Sequence, residues 1–298
     1  MPSHKKNFLL FFIILLLLLP FFVFTSHADR YEHCTLYFRF KNSALLGAEE
    51  RKIFVPADSS FETELIKTLI EGPSSVLPYF SPLFPDNTQV INTWGNKDVL
   101  FVTFNDKLLD RYSDEIVRFD EQYKSHEGNL RRRLAMASLA CTVTENTSFS
   151  YVQVLIQGDV GANTSMRLSE SYFLQDSANL VPPIARDESY IMQAKNSVEF
   201  FIKALDRGDF SEATDWLAPS ALIPDFNALK LPVVAEYTLS HGTVSFDGAQ
   251  AIVLFDAALQ NTDGIVKEVS SLPIRLKNIN GIWKIDYKSI ANILEESI

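Results

Sequence analysis

The sequence predicts an α+β fold: two small α+β units behind an N-terminal hydrophobic leader. Three observations carry this. Residues Phe8 to Phe24 are seventeen consecutive apolar positions. Strand-like and helix-like periods alternate between residues 33 and 160, and from residue 187 two amphipathic helices precede four strand-like runs joined by Asp-Gly and Asn-Gly turns.

The leader spans residues 1–28. Lys5 and Lys6 precede the apolar block, no acid occurs before Asp29, and Ser26-His27-Ala28 places small residues where a signal peptidase reads them. Cleavage after Ala28 fits this pattern. Retention as an anchor fits too, because seventeen helical residues span about 25 Å against a hydrocarbon core of about 30 Å, with a kink at Pro20. Both outcomes put the rest of the chain outside the cytoplasm, secreted or held in the cell membrane by residues 8–24. A lipid anchor needs a Cys directly after the cleavage site, and Cys34, preceded by Tyr31-Glu32-His33, does not fit.

In the first unit, Thr35 to Phe40 reads as an aromatic-rich strand. A helix follows over Phe61 to Glu71: Ser59 and Glu62 have the spacing of a capping box, Phe61, Leu65, Ile66, Leu69 and Ile70 share a face, and Gly72-Pro73 ends it. Pro78, Pro82 and Pro85 force an extended passage. Gln89 to Thr93 and Val99 to Phe104 read as strands around Gly95-Asn96-Lys97-Asp98. Leu130, Leu134, Ala137 and Cys141 recur at helical spacing, and Val152, Val154 and Ile156 alternate as a further strand. The order strand, helix, strand, strand, helix, strand suits one small sheet with helices on one face.

Residues 161–186 lack a sustained period and read as an extended linker, with room for one short strand around Met166 to Phe173. The second unit, 187–298, opens with a helix from about Asp187 to Arg207 whose stripe is Ile191, Ala194, Val198, Ile202 and Leu205. Asp209, with Glu212 three residues on, caps the next helix. Four strands follow near 234–246, 249–259, 266–278 and 281–288, with hairpin turns at Asp247-Gly248 and Asn280-Gly281. Leu272, Ile274 and Leu276 alternate with Arg275 and Lys277, so one face of that strand is buried and the other wet.

Charge narrows the function. The chain carries 37 acidic and 27 basic residues, a formal charge of −10. Removing the leader takes away two Lys and no acid. Phosphate-backbone binding needs a basic face that releases counterions, so nucleic acid is not an expected partner. The run Arg131-Arg132-Arg133 splays around a helix and reads as a solvated face. Two Cys, with three His beyond the leader, cannot build a His/Cys metal cluster, and no metal or other cofactor is expected.

Several segments of the first unit resemble the GerMN domain of bacterial sporulation and spore-germination proteins. They are Leu36-Tyr37-Phe38, Glu50-Arg51, Leu69-Ile70-Glu71-Gly72-Pro73, Leu83-Phe84-Pro85-Asp86-Asn87-Thr88 and Val152-Gln153-Val154-Leu155-Ile156-Gln157-Gly158. The resemblance covers 33–160 and implies a compact α+β unit outside the cytoplasmic membrane, acting in assembly of envelope and sporulation complexes, with no catalytic residues to carry over. Two departures stand out: the lipid-bearing Cys of many members is missing, and the stretch from Asn105 to Asn129 is longer than usual. The second unit is similar to the cone-shaped fold of the nuclear-transport-factor-like and ketosteroid-isomerase-like superfamily. Its helix order, Gly208-Asp209-Phe210 and Trp283-Lys284-Ile285 carry that similarity, and the fold hosts enzymes, binders and interaction modules alike.

No nucleophile-elbow, zincin, phosphate-loop or paired C-x-x-C pattern occurs. The strongest catalytic candidate is Asp256, on a strand face with Ile252 and Leu254, where an apolar setting would favour its protonated form and general-base work; Tyr237 is its helper. The plainer reading places Asp256 near a strand end, in water. His126 and His241 sit in polar, turn-like contexts and read as surface residues. Cys34 and Cys141, if paired, would staple the first strand to the second helix, worth up to about 4.7 kcal/mol for a loop of roughly 100 residues; Cys141 equally suits a small core residue. The expectation is a non-enzymatic extracytoplasmic protein that assembles with envelope or sporulation-complex proteins or with itself, touching the membrane through the leader if uncleaved. The alternative is a small-ligand binder, hydrolase or isomerase using a C-terminal pocket around Tyr237 and Asp256.

Overall fold

The computed structural model describes residues 28–114, 126–157, 164–173, 177–220, 222–223, 225–226, 233–260 and 264–291. The expected leader, apart from Ala28, lies outside the described residues, and among those described no helix is long and apolar enough to cross a membrane.

The architecture is α+β, with three sheets among the described residues. Strands β1 (Arg30–Phe40) and β2 (Leu46–Val55) form a long antiparallel hairpin, and the short β3 (Phe80–Ser81) pairs with the far end of β1. Helix α1 (Phe61–Glu71) has the expected limits, but its N-cap is Ser60, whose hydroxyl accepts from the Thr63 N–H at 3.1 Å, while Ser59 instead donates to Glu64. Strands β4 (Val90–Asn96), β5 (Val99–Phe104) and β6 (Tyr151–Gln157) build a second sheet. β4 and β5 are antiparallel, whereas β5 and β6 are parallel and joined through helix α2 (His126–Asn146), as a crossover requires.

The single small sheet expected for the first unit is therefore two sheets, and α2 explains the division. It packs against both β1 and β6. A polar stripe at four-residue spacing closes the edge of β1 that β2 leaves open. Asn146 accepts from the Thr35 N–H at 2.8 Å and donates to the Thr35 carbonyl at 2.7 Å; Thr142 accepts from the Tyr37 N–H at 3.2 Å; Ser138 donates to the Tyr37 carbonyl at 2.6 Å. A helix thus supplies the hydrogen bonds that a further strand would have made.

Residues 161–186, expected as linker, contribute strands to this sheet. β7 (Ser165–Arg167) and β8 (Ile184–Ala185) both pair antiparallel with β6, and Leu168, Tyr172 and Val181 are buried. Three isolated apolar side chains, spaced without helix or strand period, are enough to anchor a segment that composition alone marks as loop.

The C-terminal region begins with a 3-10 turn at Glu188–Tyr190, and helix α3 spans only Ala194–Asp206. The later start follows from local hydrogen bonding: Asp187 accepts from the Ser189 N–H, and Gln193 and Asn196 cap each other reciprocally. Helix α4 (Phe210–Asp215) is capped by Asp209 as expected, with the Glu212 N–H donating to its carboxylate at 3.0 Å. Strands β9 (Val233–Leu239), β10 (Thr243–Val244), β11 (Gln250–Gln260), β12 (Val266–Ile279) and β13 (Ile282–Ile285) form an antiparallel sheet in which β9 and β10 both pair with β11. Asn280 and Gly281, both at positive φ, make the tight β12–β13 turn.

The buried core runs without interruption from Cys34 to Ile290. At the junction Trp216 stacks on Phe200 (5.1 Å, 15°) and meets Phe40 from β1 (5.3 Å). Beside it the Met192 N–H donates to the Leu46 carbonyl at 2.8 Å.

Candidate functional site

At the expected residues the C-terminal sheet carries a shallow, open cavity of about 660 Å³ lined by Tyr237, Thr238, Asp256, Glu268 and Ser270. On β11, Ala251, Val253, Phe255, Ala257 and Leu259 point into the core, and Asp256 points the other way. Tyr237 lies opposite Ala257 in the register and Asp256 opposite Thr238, so the two candidates sit on opposite faces. Asp256 is solvent-facing at a bulge, where β12 inserts an extra residue and Ser271 takes a φ of 52°. Its carboxylate accepts from the Ser271 N–H at 2.7 Å and the Ser270 hydroxyl at 3.1 Å, with Thr238 at 3.5 Å. Those donors, led by the Ser271 amide, hold its pKa below the usual carboxylate value, the opposite of what a general base at neutral pH needs. Asp256 is a bulge anchor. Tyr237 is half-buried against Phe255, and burial pushes its phenol up. Phe255 and Trp283 are buried on the inner face of the sheet, and the cavity at Tyr237 and Asp256 opens to solvent instead.

Exposed aromatic side chains that sequence reasoning passed over include Tyr31 and Phe54 on the first sheet and Trp94 of a stacked pair on the second. β5 buries Leu100, Val102 and Phe104 on one face; on the other, Val99 and Phe101 are half-buried while Thr103 is covered. Trp94 on β4 lies opposite Phe101, and the rings stack face to face at 3.9 Å with 5° between planes. Trp94 remains 44% exposed, and Tyr151, opposite Val99, 38%. Toward β6 the same face is covered: Gln153 is buried and donates to the Val181 carbonyl at 3.2 Å. The aromatic pair thus sits on the open part of a half-covered face, beside β4, whose far edge meets no strand among the described residues. The available signal was two aromatics on the wet register of strands flanking the Lys97-Asp98 turn.

Residues 35–161 match the model of the Germane family, described as sporulation and spore germination. That stretch is similar to the Germane family. A structure of the tandem GerMN domains of the sporulation protein GerM from Bacillus subtilis is 16% identical, covering 54% of this chain and 48% of that one, with a TM-score of 0.36. The first GerMN domain of the same protein is 17% identical over 52% of this chain and 96% of that one, TM-score 0.29. A Clostridium perfringens protein described as a candidate lipoprotein is 16% identical over 54% of this chain and 90% of that one, TM-score 0.29. The comparison with curated proteins gives no match.

Cys34 and Cys141 are both buried free thiols, so of the two alternatives left open the small core residue fits and the staple is not formed. Ser138 and Thr142 are the positions of α2 turned toward β1, so Cys141, one residue before Thr142, points about 100° away and meets Arg186 and Asp187 instead. Cys34 donates to the Arg51 carbonyl at 3.4 Å, and burial pushes its thiol up to about 11. The arginine run is also no solvated face. Arg132 is wholly buried, its guanidinium 5.3 Å from the Tyr112 ring and 5.9 Å from that of Tyr172, while Arg131 lies 3.8 Å from Tyr112 and pairs with Asp114 at 2.5 Å. Only Arg133 is exposed. His126 opens α2, and exposed His241 meets Lys195. Among the described residues no group of His, Cys, Asp and Glu could hold a metal.

Proposed function

We propose that this chain is exported by its hydrophobic leader and acts outside the cytoplasmic membrane as a non-enzymatic assembly component of a sporulation- or germination-related envelope complex. The family match over residues 35–161 supports the process. The observation that supports the mode of action is the exposed Trp94–Phe101 stack on the open half of an otherwise covered face. Aromatic side chains bury large area at little entropic cost, which is why they anchor protein interfaces, and the surrounding acidic surface disfavours non-specific adhesion to anionic lipid or wall polymer. The partner is an envelope or sporulation-complex protein, or a second copy of the chain.

Two variants test this in cells. Trp94→Ser with Phe101→Ser should leave the protein folded and exported but abolish its co-purification with its complex and its contribution to sporulation or germination. Asp256→Asn with Tyr237→Phe should leave both intact. The reverse pattern, activity lost with the second pair and retained with the first, would replace the assembly role with a ligand or enzymatic one.

A further inference from the structure

Where the end of β1 meets α4 and β13, an open cavity of about 370 Å³ lies between Phe40, Tyr79, Trp216 and Ile282, with Lys41, Lys284 and Asp215 at its walls. That volume is at the small end of the range of ligand sites. Both lysine ammoniums approach the same ring: Lys41 Nζ lies 5.5 Å and Lys284 Nζ 5.8 Å from the Trp216 centroid. The placement of Lys41 uses an uncommon backbone conformation. Its φ is 47°, a region that a side chain enters at some cost, and it is held there by its N–H donating to the Tyr79 carbonyl at 2.7 Å.

The other charges nearby come from α4. Glu212 is 3.9 Å from Lys41 but is engaged by Arg207 at 2.5 Å, and Asp215 offers Lys284 its backbone carbonyl. Burial lowers the Lys284 pKa, Asp215 acts against this, and the neighbouring Lys41 ammonium adds to the lowering. The two ammoniums approaching one aromatic ring repel each other; Glu212 and Asp215 offset part of that repulsion, and an added anion between the ammoniums relieves the rest.

We propose that this cavity binds a small organic carboxylate, its anionic group held between Lys41 and Lys284 and its ring or apolar body lying against Trp216 and Tyr79. A bare inorganic anion would leave the aromatic walls uncovered. No arginine is among the described lining residues, so the forked donor that suits a phosphate is missing and two point charges remain, matched to a monoanion.

The test titrates the exported chain with benzoate, with its neutral isostere benzamide, and with inorganic phosphate, following the Trp216 indole N–H resonance, assigned through Trp216→Phe. Benzoate should give a saturable shift with an apparent Kd of about 1 mM or tighter, weakened about tenfold or more in Lys284→Met and in Lys41→Met, with no saturable response to benzamide. Lys41→Met alters a half-exposed side chain, so it reports even if Lys284→Met fails to fold. No saturable benzoate shift, equal binding of benzamide, undiminished binding in Lys41→Met, or phosphate binding as tightly as benzoate would each overturn the proposal.

Discussion

At Cys34 and Cys141 burial decides chemistry. Both thiols lie in the core, and desolvation raises both pKa values, so the reactive thiolate is scarce at neutral pH. An aromatic disulfide reagent at pH 8 should therefore find almost no thiol in the native exported protein. The protein unfolded without reductant should release two; zero would restore the staple. Asp256 gives a pH prediction with a definite sign. Its pKa is lower folded than unfolded, so its hydrogen bonds to Ser271 and Ser270 contribute stability above the unfolded value of about 3.9. That contribution is lost as pH falls through the folded value. Wild type and Asp256→Ala should thus differ in denaturant midpoint at pH 7 and converge as the solution is acidified below about pH 4. A gap that widens in acid would contradict the anchor role.

Helix α2 shows at the scale of an element why part of the fold was legible and part was not. Its existence could be read from Leu130, Leu134, Ala137 and Cys141, but its surroundings could not, because Ser138, Thr142 and Arg132 are as buried as the apolar stripe. Polar residues that satisfy a strand edge look, in sequence, like residues that face water. Strand β2 was hidden for the same reason: Glu49-Glu50-Arg51-Lys52 is charged at every position and shows no strand alternation, yet Glu49 is buried and held by Arg51 at 2.6 Å and by the Ser74 N–H at 3.1 Å. By contrast α1, β5 and the two hairpin turns of the C-terminal sheet follow local rules of period, cap and turn, and those were readable. The edge-closing role carries its own prediction. Thr142→Val and Asn146→Ala should each cost about 1–3 kcal/mol, the usual penalty for orphaning buried backbone groups, in chemical unfolding. A loss below about 0.5 kcal/mol for both, within the range of ordinary surface substitutions, would show that β1 does not depend on α2 for its open edge.

Across the whole molecule, the junction between the β1–β2 hairpin and the C-terminal sheet is tight. Gly281 takes a φ of 79°, and a Cβ built on it would stand 1.8 Å from the Ala48 carbonyl oxygen. Gly281→Ala therefore meets both a left-handed backbone and a backbone clash, and should destabilise by more than about 1 kcal/mol. Calorimetry on wild type should show one transition, because the core is continuous across the junction, and the substitution should lower its Tm or split it; an unchanged Tm would mean that the contact opens in solution. The proposed assembly role rests on the aromatic face of β4 and β5. A photoreactive amino acid placed at position 94, and separately at position 237, in cells undergoing sporulation tests that most directly. The account predicts a discrete protein adduct from position 94 and none from position 237; an adduct from 237 alone, or none from 94 while the protein still functions, would contradict it.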